Sequence, residues 1–361
     1  MIPINTTKLD DKKIRNEIID SISQVENKSW FILGENLKRF EDNFAKYCNR
    51  KYCIGVNSGT DALFIALKAA GIKENDEVIT VSNSFIATAL VVSNLGAKPV
   101  FVDIDKESYN MDTNKIRAKI TSRTKAIIPV HLYGQPADLE NIIEIANKSG
   151  LFILEDCCQA HGAERNGIKV PISGTGCFSF YPAKNLGGYG DGGCIVTDDK
   201  KIADNARLLR NYGEIEKYKY KIKGFNSRLD EIQSAILNVK LKYLDMWNEK
   251  RISYANLYNS LLKDIVITPY QNKRDKHVYH LYVIRCKNRD ELQEHLKKNG
   301  IGTLIHYPIP IHKQESYKEY NKEKLPVTEK YTKEILSLPM YPDLREKEIS
   351  FICDKIKEFY K

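Results

Sequence analysis

The sequence predicts an α/β protein in which helices cover both faces of a mainly parallel sheet, with a smaller α/β unit at the C-terminal end. From about residue 51, apolar strand-like runs alternate with helical segments, which is the pattern of a parallel sheet with crossover helices. A chain of 361 residues is also long enough for a large core domain and a second, smaller one. We predict that residues 1–245 comprise an N-terminal arm and the large domain, and residues 246–361 the small domain.

The elements of the large domain follow from its hydrophobic periodicity. Continuous apolar runs predict buried strands at 52–56, 77–81, 100–103, 126–132 and 151–156. The segments between these runs predict helices at 60–70, 85–94, 113–120 and 139–148. Gly71 follows the first of these helices as a natural C-cap.

The pattern changes after Gly176, where two short strands flank a glycine-rich turn. The strands are predicted at 177–180 and 193–197. The elements predicted after them in the large domain are a helix at 200–210, a loop rich in Tyr, Lys and Gly at 211–226 and a long amphipathic helix at 228–245. Those of the small domain are a strand at 279–286, a helix at 289–298 and a final helix.

The composition argues against several classes of protein. Hydrophobic residues make up 42% and charged residues 29% of the chain, as in ordinary globular proteins. The longest nearly uncharged stretch, 78–97, is interrupted by polar residues, and the N-terminus lacks the apolar core of a signal peptide, so we expect a cytoplasmic protein with no membrane span. The net charge of +9 comes from lysines spread along the chain, which argues against nucleic-acid binding. The eight cysteines show neither Cys-x-x-Cys nor zinc spacing, so no metal site is predicted.

The turn between the two short strands contains Lys184, framed by Tyr181, Pro182 and five glycines. Asp156 ends the strand predicted at 151–156, at the edge of the sheet where open α/β proteins bind ligands. Pyridoxal phosphate requires a lysine amine that forms a Schiff base with its aldehyde and a carboxylate that keeps its pyridine nitrogen protonated. The sequence therefore predicts Lys184 and Asp156 as the catalytic pair of a pyridoxal phosphate enzyme.

A phosphate site is predicted in the segment 55–63, where a strand, a turn of small residues and a helix follow one another. Free N–H groups and the positive end of the helix dipole meet at such a helix N-terminus and bind anions. The predicted contacts are Gly59, Thr60 and Asp61. A plain helix N-cap would produce the same local pattern, so the interpretation depends on the presence of Lys184 and Asp156.

Further cofactor contacts are predicted near these segments. Gln159, three residues after Asp156, is placed to donate a hydrogen bond to the phenolic oxygen of the cofactor. Ser179 would bind the phosphate, and Phe85 would stack on the pyridine ring, although Phe85 is also a natural core residue. We interpret His161 as a packed residue that supports Asp156.

Six ordered segments carry a resemblance to a known family. They are Trp30-Phe-Ile-Leu-Gly-Glu35, Asn57-Ser-Gly-Thr-Asp-Ala-Leu63, Glu155-Asp-x-x-Gln-Ala-His-Gly162, Ser179-Phe-Tyr-Pro-x-Lys-Asn-Leu-Gly187, Gly224-Phe-Asn-Ser-Arg-Leu-Asp-Glu231 and His306-Tyr-Pro-x-Pro-x-His312. Together they resemble the DegT/StrS-type nucleotide-sugar aminotransferases, nearly from end to end. One small departure is Ala183, where the family often has glycine.

The resemblance implies the aspartate-aminotransferase-like fold (pyridoxal phosphate fold type I), whose large domain has a mainly parallel seven-stranded sheet. It implies pyridoxal 5'-phosphate as the cofactor, with pyridoxamine phosphate as the intermediate form. It also implies a homodimer with shared active sites, in which Asn226 contacts the phosphate of the partner's cofactor. In a monomer, the segment around Asn226 would be only a loop with a helix cap.

The resemblance further implies transfer of an amino group from L-glutamate to a keto sugar, with Lys184 as the base. The segments 129–136 and 181–192 are similar to the subgroup that acts on C3 of dTDP-3-keto-6-deoxyhexoses. The predicted product is a dTDP-3-amino-3,6-dideoxyhexose of galacto or gluco configuration, used for surface polysaccharide or natural-product glycosylation.

The contacts to this substrate are less constrained than those to the cofactor. The residues predicted to contact the sugar nucleotide are Trp30, Tyr181, His306 and Tyr307, although each could equally be a packing residue. Three other functions stay open. One is a C4 aminotransferase acting on a UDP- or dTDP-4-keto sugar, and another is an inactive homologue that binds sugar nucleotides. The third is a different pyridoxal phosphate reaction, such as that of a lyase or an amino-acid aminotransferase, which the domain pattern permits but the set of motifs does not favour.

Overall fold

The computed structural model describes all 361 residues. Its helices are α1 (Lys12–Lys28), α2 (Glu35–Tyr47), α3 (Gly59–Ala69), α4 (Ala87–Asn94), α5 (Leu139–Ser149), α6 (Lys200–Arg210), α7 (Glu231–Leu241), α8 (Leu244–Leu262), α9 (Arg289–Lys298), α10 (Pro326–Tyr331) and α11 (Glu346–Phe359). Its strands are β1 (Tyr52–Val56), β2 (Glu77–Val81), β3 (Lys98–Val102), β4 (Thr124–Ile127), β5 (Phe152–Ile153), β6 (Glu155–Asp156), β7 (Glu164–Arg165), β8 (Ile168–Lys169), β9 (Thr175–Ser179), β10 (Gly193–Thr197), β11 (Glu214–Glu216), β12 (Lys219–Tyr220), β13 (Asp275–Lys276), β14 (Tyr282–Arg285) and β15 (Ile335–Leu338).

The central sheet has seven strand positions in the order β3-β2-β4-β5/β6-β9-β10-β1. The short strands β5 and β6 form one position, because the N–H groups of Leu154 and Asp156 both donate to the chain that continues from β4. β6 then pairs in parallel with β9. Only β10 runs antiparallel to its neighbours, β9 and β1. The predicted mainly parallel, seven-stranded sheet is confirmed.

Helices cover both faces of this sheet because alternate strand residues point to opposite sides. In β10, Ile195 packs with α3 and α6 in one buried cluster, whereas its neighbours Cys194 and Val196 pack with α2 in another. The face over β2 and β4 is covered by α5, with Ile142 and Ile145 in the same cluster as strand residues. The core therefore fixes each strand end, and with it the edge of the sheet where ligands bind.

A second, smaller sheet lies in the C-terminal part of the chain, where β14 pairs antiparallel with β15. Its buried side chains pack with α8, α9 and α11. The rings of Tyr258 and Tyr282 are stacked, with 4.6 Å between their centroids. The helices predicted at 289–298 and at the C-terminus are present as α9 and α11. The domain boundary between residues 245 and 246 stays a prediction.

Several elements differ from their sequence-based expectation. The helix predicted at 113–120 is two single 3-10 turns, and the strand predicted at 279–286 is only β14, because Tyr279 adopts a positive φ of 43° that interrupts extended backbone. The helix predicted at 228–245 is divided into α7 and α8, and the predicted loop at 211–226 contains the β11–β12 hairpin. Hydrophobic periodicity continues across such interruptions, so it cannot locate them. None of the helices has the length and hydrophobicity that crossing a membrane requires.

Candidate active site

A cavity of about 690 Å³ opens at the carboxyl ends of the parallel strands. Ten of the thirteen predicted site residues line it, and they come from segments far apart in the chain. These residues are Gly59, Thr60, Phe85, Asp156, Gln159, Ser179, Tyr181, Lys184, His306 and Tyr307. The fold therefore brings the predicted cofactor and substrate residues into one place.

Lys184 lies in the turn between β9 and β10, and its N–H donates to the carbonyl of Tyr181 at 2.8 Å. The turn is tight: a Cβ on Gly187 would lie 2.3 Å from the carbonyl oxygen of Pro182, so only glycine fits there. Burial lowers the pKa of the Lys184 amine, and the nearby Cys158 and Asp156 partly oppose this shift. A larger fraction of the amine is therefore neutral, as a base or nucleophile requires.

Asp156 is buried at the end of β6 and is held by two hydrogen bonds. Thr88 donates its hydroxyl to one carboxylate oxygen at 2.9 Å, and the N–H of Cys158 donates to the other at 3.1 Å. Ser84 lies 2.8 Å from the Thr88 hydroxyl and extends this network. The sequence did not identify Thr88, which belongs to the same segment as Phe85. The supporting role expected of His161 belongs instead to Thr88, because His161 makes no hydrogen bond to Asp156 and packs on Phe178.

The N-terminus of α3 forms a small anion cradle on the cavity wall. Ser58 is the N-cap and its hydroxyl accepts from the N–H of Asp61 at 3.0 Å, so the N–H groups of Gly59 and Thr60 have no partner within the helix. A Cβ on Gly59 would lie 2.6 Å from the Cβ of Ser179, so the cradle depends on small residues. Gly59, Thr60 and Ser179 line the cavity, whereas Asp61 does not.

Gln159 and Tyr307, which also line the cavity, are joined by a hydrogen bond. The Gln159 carbonyl oxygen accepts from the N–H of Tyr133 at 2.8 Å, and its amide nitrogen donates to the Tyr307 hydroxyl at 3.1 Å. The ring of Phe85 lies 6.0 Å from that of Tyr307 and remains 55% exposed, because it faces the open cavity instead of the core. Phe85 is therefore available to a planar ring bound in the cavity.

Two further groups on the wall were not predicted from the sequence. His280 is buried beside the lysine turn, and Asn5 donates its side-chain amide to the carbonyl of Ala183 at 3.0 Å. Asn5 is reached because the N-terminal segment pairs with Gly300 and Gly302. No local motif marks either residue, since only the tertiary fold brings them next to Lys184.

Trp30 and Asn226 lie outside this cavity. Trp30 is 64% exposed, and its indole N–H donates to the carbonyl of Ile32 at 2.7 Å. The segment that contains Trp30 is held by Glu231. The buried carboxylate of Glu231 accepts hydrogen bonds from the N–H groups of Gly34 and Leu37 at the start of α2. Asn226 is exposed beside the β11–β12 hairpin. Its predicted contact with a partner subunit stays a prediction.

His131, Glu155 and Cys157 form a buried cluster next to Asp156. Their possible ligand atoms all lie within 4.8 Å of one another, close enough to hold a metal ion. The polar atoms of the cluster are already paired. His131 Nε2 and Glu155 Oε2 are 2.9 Å apart, and the other His131 nitrogen accepts from the N–H of Ala137. Glu155 also accepts from Ile172 and Ser173. We interpret the cluster as a structural hydrogen-bond network in which His131 donates through Nε2 to Glu155 and accepts through Nδ1.

The residues on the cavity wall fit pyridoxal phosphate. Lys184 and Asp156 have the chemistry for its aldehyde and its pyridine nitrogen, and the small-residue cradle at Gly59 leaves room for a phosphate. The fold and this site define the class of the protein: it is a pyridoxal phosphate-dependent enzyme of fold type I.

The chain belongs to the DegT/DnrJ/EryC1/StrS aminotransferase family, whose model matches residues 12–357. It is 45% identical over 361 residues (99% of either chain) to the dTDP-3-amino-3,6-dideoxy-alpha-D-galactopyranose transaminase of Aneurinibacillus thermoaerophilus. It is 46% identical over 357 residues, covering 97% of this chain and 96% of the relative, to a protein of Geobacillus stearothermophilus named pleiotropic regulatory protein. A relative from Acidithiobacillus ferrooxidans, 42% identical over 99% of this chain and 97% of its own, is named a UDP-N-acetyl-3-dehydro-alpha-D-glucosamine 3-aminotransferase.

Among solved structures, the fold matches S. venezuelae DesV in complex with a ketimine intermediate. The TM-score is 0.98 with 40% sequence identity, and the match covers 100% of this chain and 98% of DesV. These likenesses, together with the family membership, establish a nucleotide-sugar aminotransferase with pyridoxal phosphate as its cofactor and pyridoxamine phosphate as its aminated form.

Proposed function

We propose that this enzyme transfers the amino group of L-glutamate to C3 of a dTDP-3-keto-6-deoxyhexose, giving a dTDP-3-amino-3,6-dideoxyhexose. The observation that carries the proposal is the cavity shared by Lys184 and Asp156, in a chain so similar to a dTDP-3-amino-sugar transaminase. The product would supply surface polysaccharide or natural-product glycosylation, and we place the enzyme in the cytoplasm.

The side chains of the site suit this reaction. When bound, pyridoxal phosphate supplies an electron sink and carries the amino group between the two substrates. Asp156, oriented by Thr88 and the N–H of Cys158, would hold a proton on the pyridine nitrogen. Lys184 would move protons to and from the reacting carbon, because burial lowers the pKa of its amine toward the working pH. Phe85 would cover one face of the ring.

We also propose a homodimer in which Asn226 serves the partner's phosphate site. The hairpin next to Asn226 exposes apolar and aromatic side chains, which favours coverage by another chain. These side chains are Tyr212, Ile215, Tyr218, Tyr220 and Phe225. A shared site predicts complementation between two inactive variants. Co-expression of Lys184→Ala with Asn226→Ala should restore activity well above either variant alone, because one site of the mixed dimer has both residues. Activity no higher than that of the separate variants would contradict sharing.

The reaction itself is tested in two steps. First, the visible absorption band of the cofactor in the purified protein should bleach on addition of L-glutamate. Second, the enzyme is incubated with L-glutamate and either a dTDP-3-keto-6-deoxyhexose or a 4-keto sugar, and the product is analysed by NMR. An amine at C3 of the dTDP sugar supports the proposal, and an amine at C4 would replace it with the C4 alternative. A band that does not respond to glutamate would make the donor wrong.

A second candidate substrate is a UDP-3-keto sugar, favoured by the Acidithiobacillus relative named for this chemistry. Parallel assays with dTDP and UDP substrates of matched sugar separate the two, because the larger kcat/KM identifies the nucleotide. The inactive-homologue alternative would require no amination of any sugar nucleotide. The intact pair of Lys184 and Asp156 argues against it.

A further inference from the structure

His280 lies on the cavity wall although no sequence motif pointed to it. It belongs to the segment that leads into β14 and is only 7% exposed. Its ring nitrogen Nδ1 lies 3.2 Å from the side-chain oxygen of Asn185, the residue that follows Lys184. The ring is therefore tied to the backbone that positions the lysine.

The hydrogen bonds of Asn185 decide which nitrogen of His280 carries the proton. The Asn185 amide nitrogen donates to the carbonyl of Val278 at 3.1 Å and to the side-chain oxygen of Asn248 at 2.9 Å. Asn248 is itself oriented, because its amide nitrogen donates to the carbonyl of His161 at 2.8 Å. The Asn185 oxygen must therefore face His280 as an acceptor, so His280 Nδ1 bears the hydrogen.

The other nitrogen, Nε2, presents a lone pair to the cavity. Burial is the main cause that holds the pKa of His280 well below its ordinary value, and the charges of Lys184 and Arg251 lower it further. The ring is therefore neutral, and with the hydrogen on Nδ1 its Nε2 can only accept. Nε2 makes no hydrogen bond within the chain. It is also not one of the fully buried polar atoms that lack a partner, so it is accessible from the cavity that His280 lines.

We propose that His280 is a specificity-determining residue whose Nε2 accepts a hydrogen bond from a hydroxyl of the sugar, beside the carbon that gains the amine. A lone pair repels the carboxylates of L-glutamate, which are acceptors only, and attracts hydroxyl donors, which the sugar supplies. Asn185 ties the ring to the residue after Lys184, so the acceptor lies close to where that lysine acts. The inference rests on the proposed sugar amination.

Two substitutions separate this role from a structural one. His280→Asn keeps a donor near the Nδ1 position for Asn185 and removes Nε2, whereas His280→Gln places an amide oxygen near the Nε2 position. We expect His280→Asn to lower kcat/KM for the keto sugar about tenfold, the effect of one neutral hydrogen bond, and to leave the glutamate half-reaction within about twofold of the wild type. His280→Gln should recover most of the loss.

Binding gives an independent measurement. Calorimetric titration of a dTDP-sugar into the aminated enzyme should show a weaker Kd for His280→Asn by a similar factor. A substrate analogue that lacks the neighbouring hydroxyl should bind the wild type and His280→Asn equally well. If the wild type aminates no sugar nucleotide, both the proposed function and this inference are wrong. If the wild type is active, equal losses in both half-reactions, or no change in the sugar step, would overturn the role of His280 alone.

Discussion

The inner end of the cavity and its outer rim differ in how their side chains are held. We define the inner end by Lys184, Asp156, Thr88 and Gln159. Lys184 is half-buried as a residue, and the polar groups of the other three are buried and hydrogen-bonded within one chain. We use the name outer rim for three largely exposed parts of the chain, which are Tyr181 on the cavity wall and, outside the cavity, Trp30 and the segment 211–226. Trp30 and Tyr181 are more than half exposed, at 64% and 54%.

This difference determines how far the role of each side chain follows from the structure of one chain. Side chains of the inner end have one available geometry, so their chemistry follows from contacts already made. Those of the rim have room for several arrangements, which a bound sugar nucleotide or a partner subunit would select. Substitutions should therefore act through chemistry at the inner end and through substrate affinity at the rim.

The largest effect is expected at Lys184. Lys184→Ala removes both the group that bonds the cofactor and the proposed base, so turnover should fall by at least about a thousandfold, near the upper range for a general base. The measurement is single-turnover amination, with circular dichroism to verify folding. The exposed Tyr181→Phe, in the same loop, is the matched control and should remain active. Appreciable turnover by Lys184→Ala would remove the inner end from the mechanism.

A smaller loss is expected where Asp156 is changed. Asp156→Asn keeps the shape of the side chain but removes the charge opposite the pyridine nitrogen, and kcat should fall about a hundredfold, as for loss of one preorganised electrostatic contact. Thr88→Val keeps the charge of that carboxylate but removes a hydrogen bond to it, together with the contact to Ser84, and should cost about tenfold. The two variants are compared by kcat for both half-reactions. A loss in Thr88→Val equal to that in Asp156→Asn would indicate that orientation, not charge, governs the site.

The sequence was sufficient to predict that Lys184, Asp156 and Gln159 lie together, because these inner-end residues follow strand ends and turns with strong local constraints. The predicted phosphate cradle, for example, follows from a strand, small residues and a helix start at Gly59, where a Cβ does not fit. Thr88 and His280 could not be predicted, since each reaches the site through tertiary contacts that leave no periodic signal. The division of the helix predicted at 228–245 was missed for a similar reason, because apolar periodicity continues across it.

Acid should reveal how well the buried residues next to the inner end, such as His161, are sealed from water. Burial, and secondarily the charge of Lys184, lowers the pKa of His161 from 6.5 to about 3. Between these values the unfolded chain binds a proton that the folded chain does not, so stability should fall as pH decreases from 6.5, by up to about 1.4 kcal/mol per pH unit for this group. His161→Phe, placed among Phe178 and Phe180, should remove one proton from this dependence. Urea unfolding at pH 7 and 5 measures it, and an unchanged slope would contradict the lowered pKa.

The smallest effects are expected at the outer rim. Large effects there would directly contradict the distinction between the inner end and the outer rim. Trp30→Ala and Tyr181→Phe should raise the KM of the sugar nucleotide a few-fold, since exposed side chains lose little contact energy. Both should leave the rate of the glutamate half-reaction unchanged, because neither residue hydrogen-bonds Lys184 or Asp156 through its side chain. Steady-state kinetics with each substrate varied separately distinguishes an effect on the KM of the sugar nucleotide from an effect on the glutamate half-reaction. A fall in the glutamate half-reaction for Tyr181→Phe would mean that the rim controls the position of the lysine turn, and that the inner end is not organised by its own contacts alone.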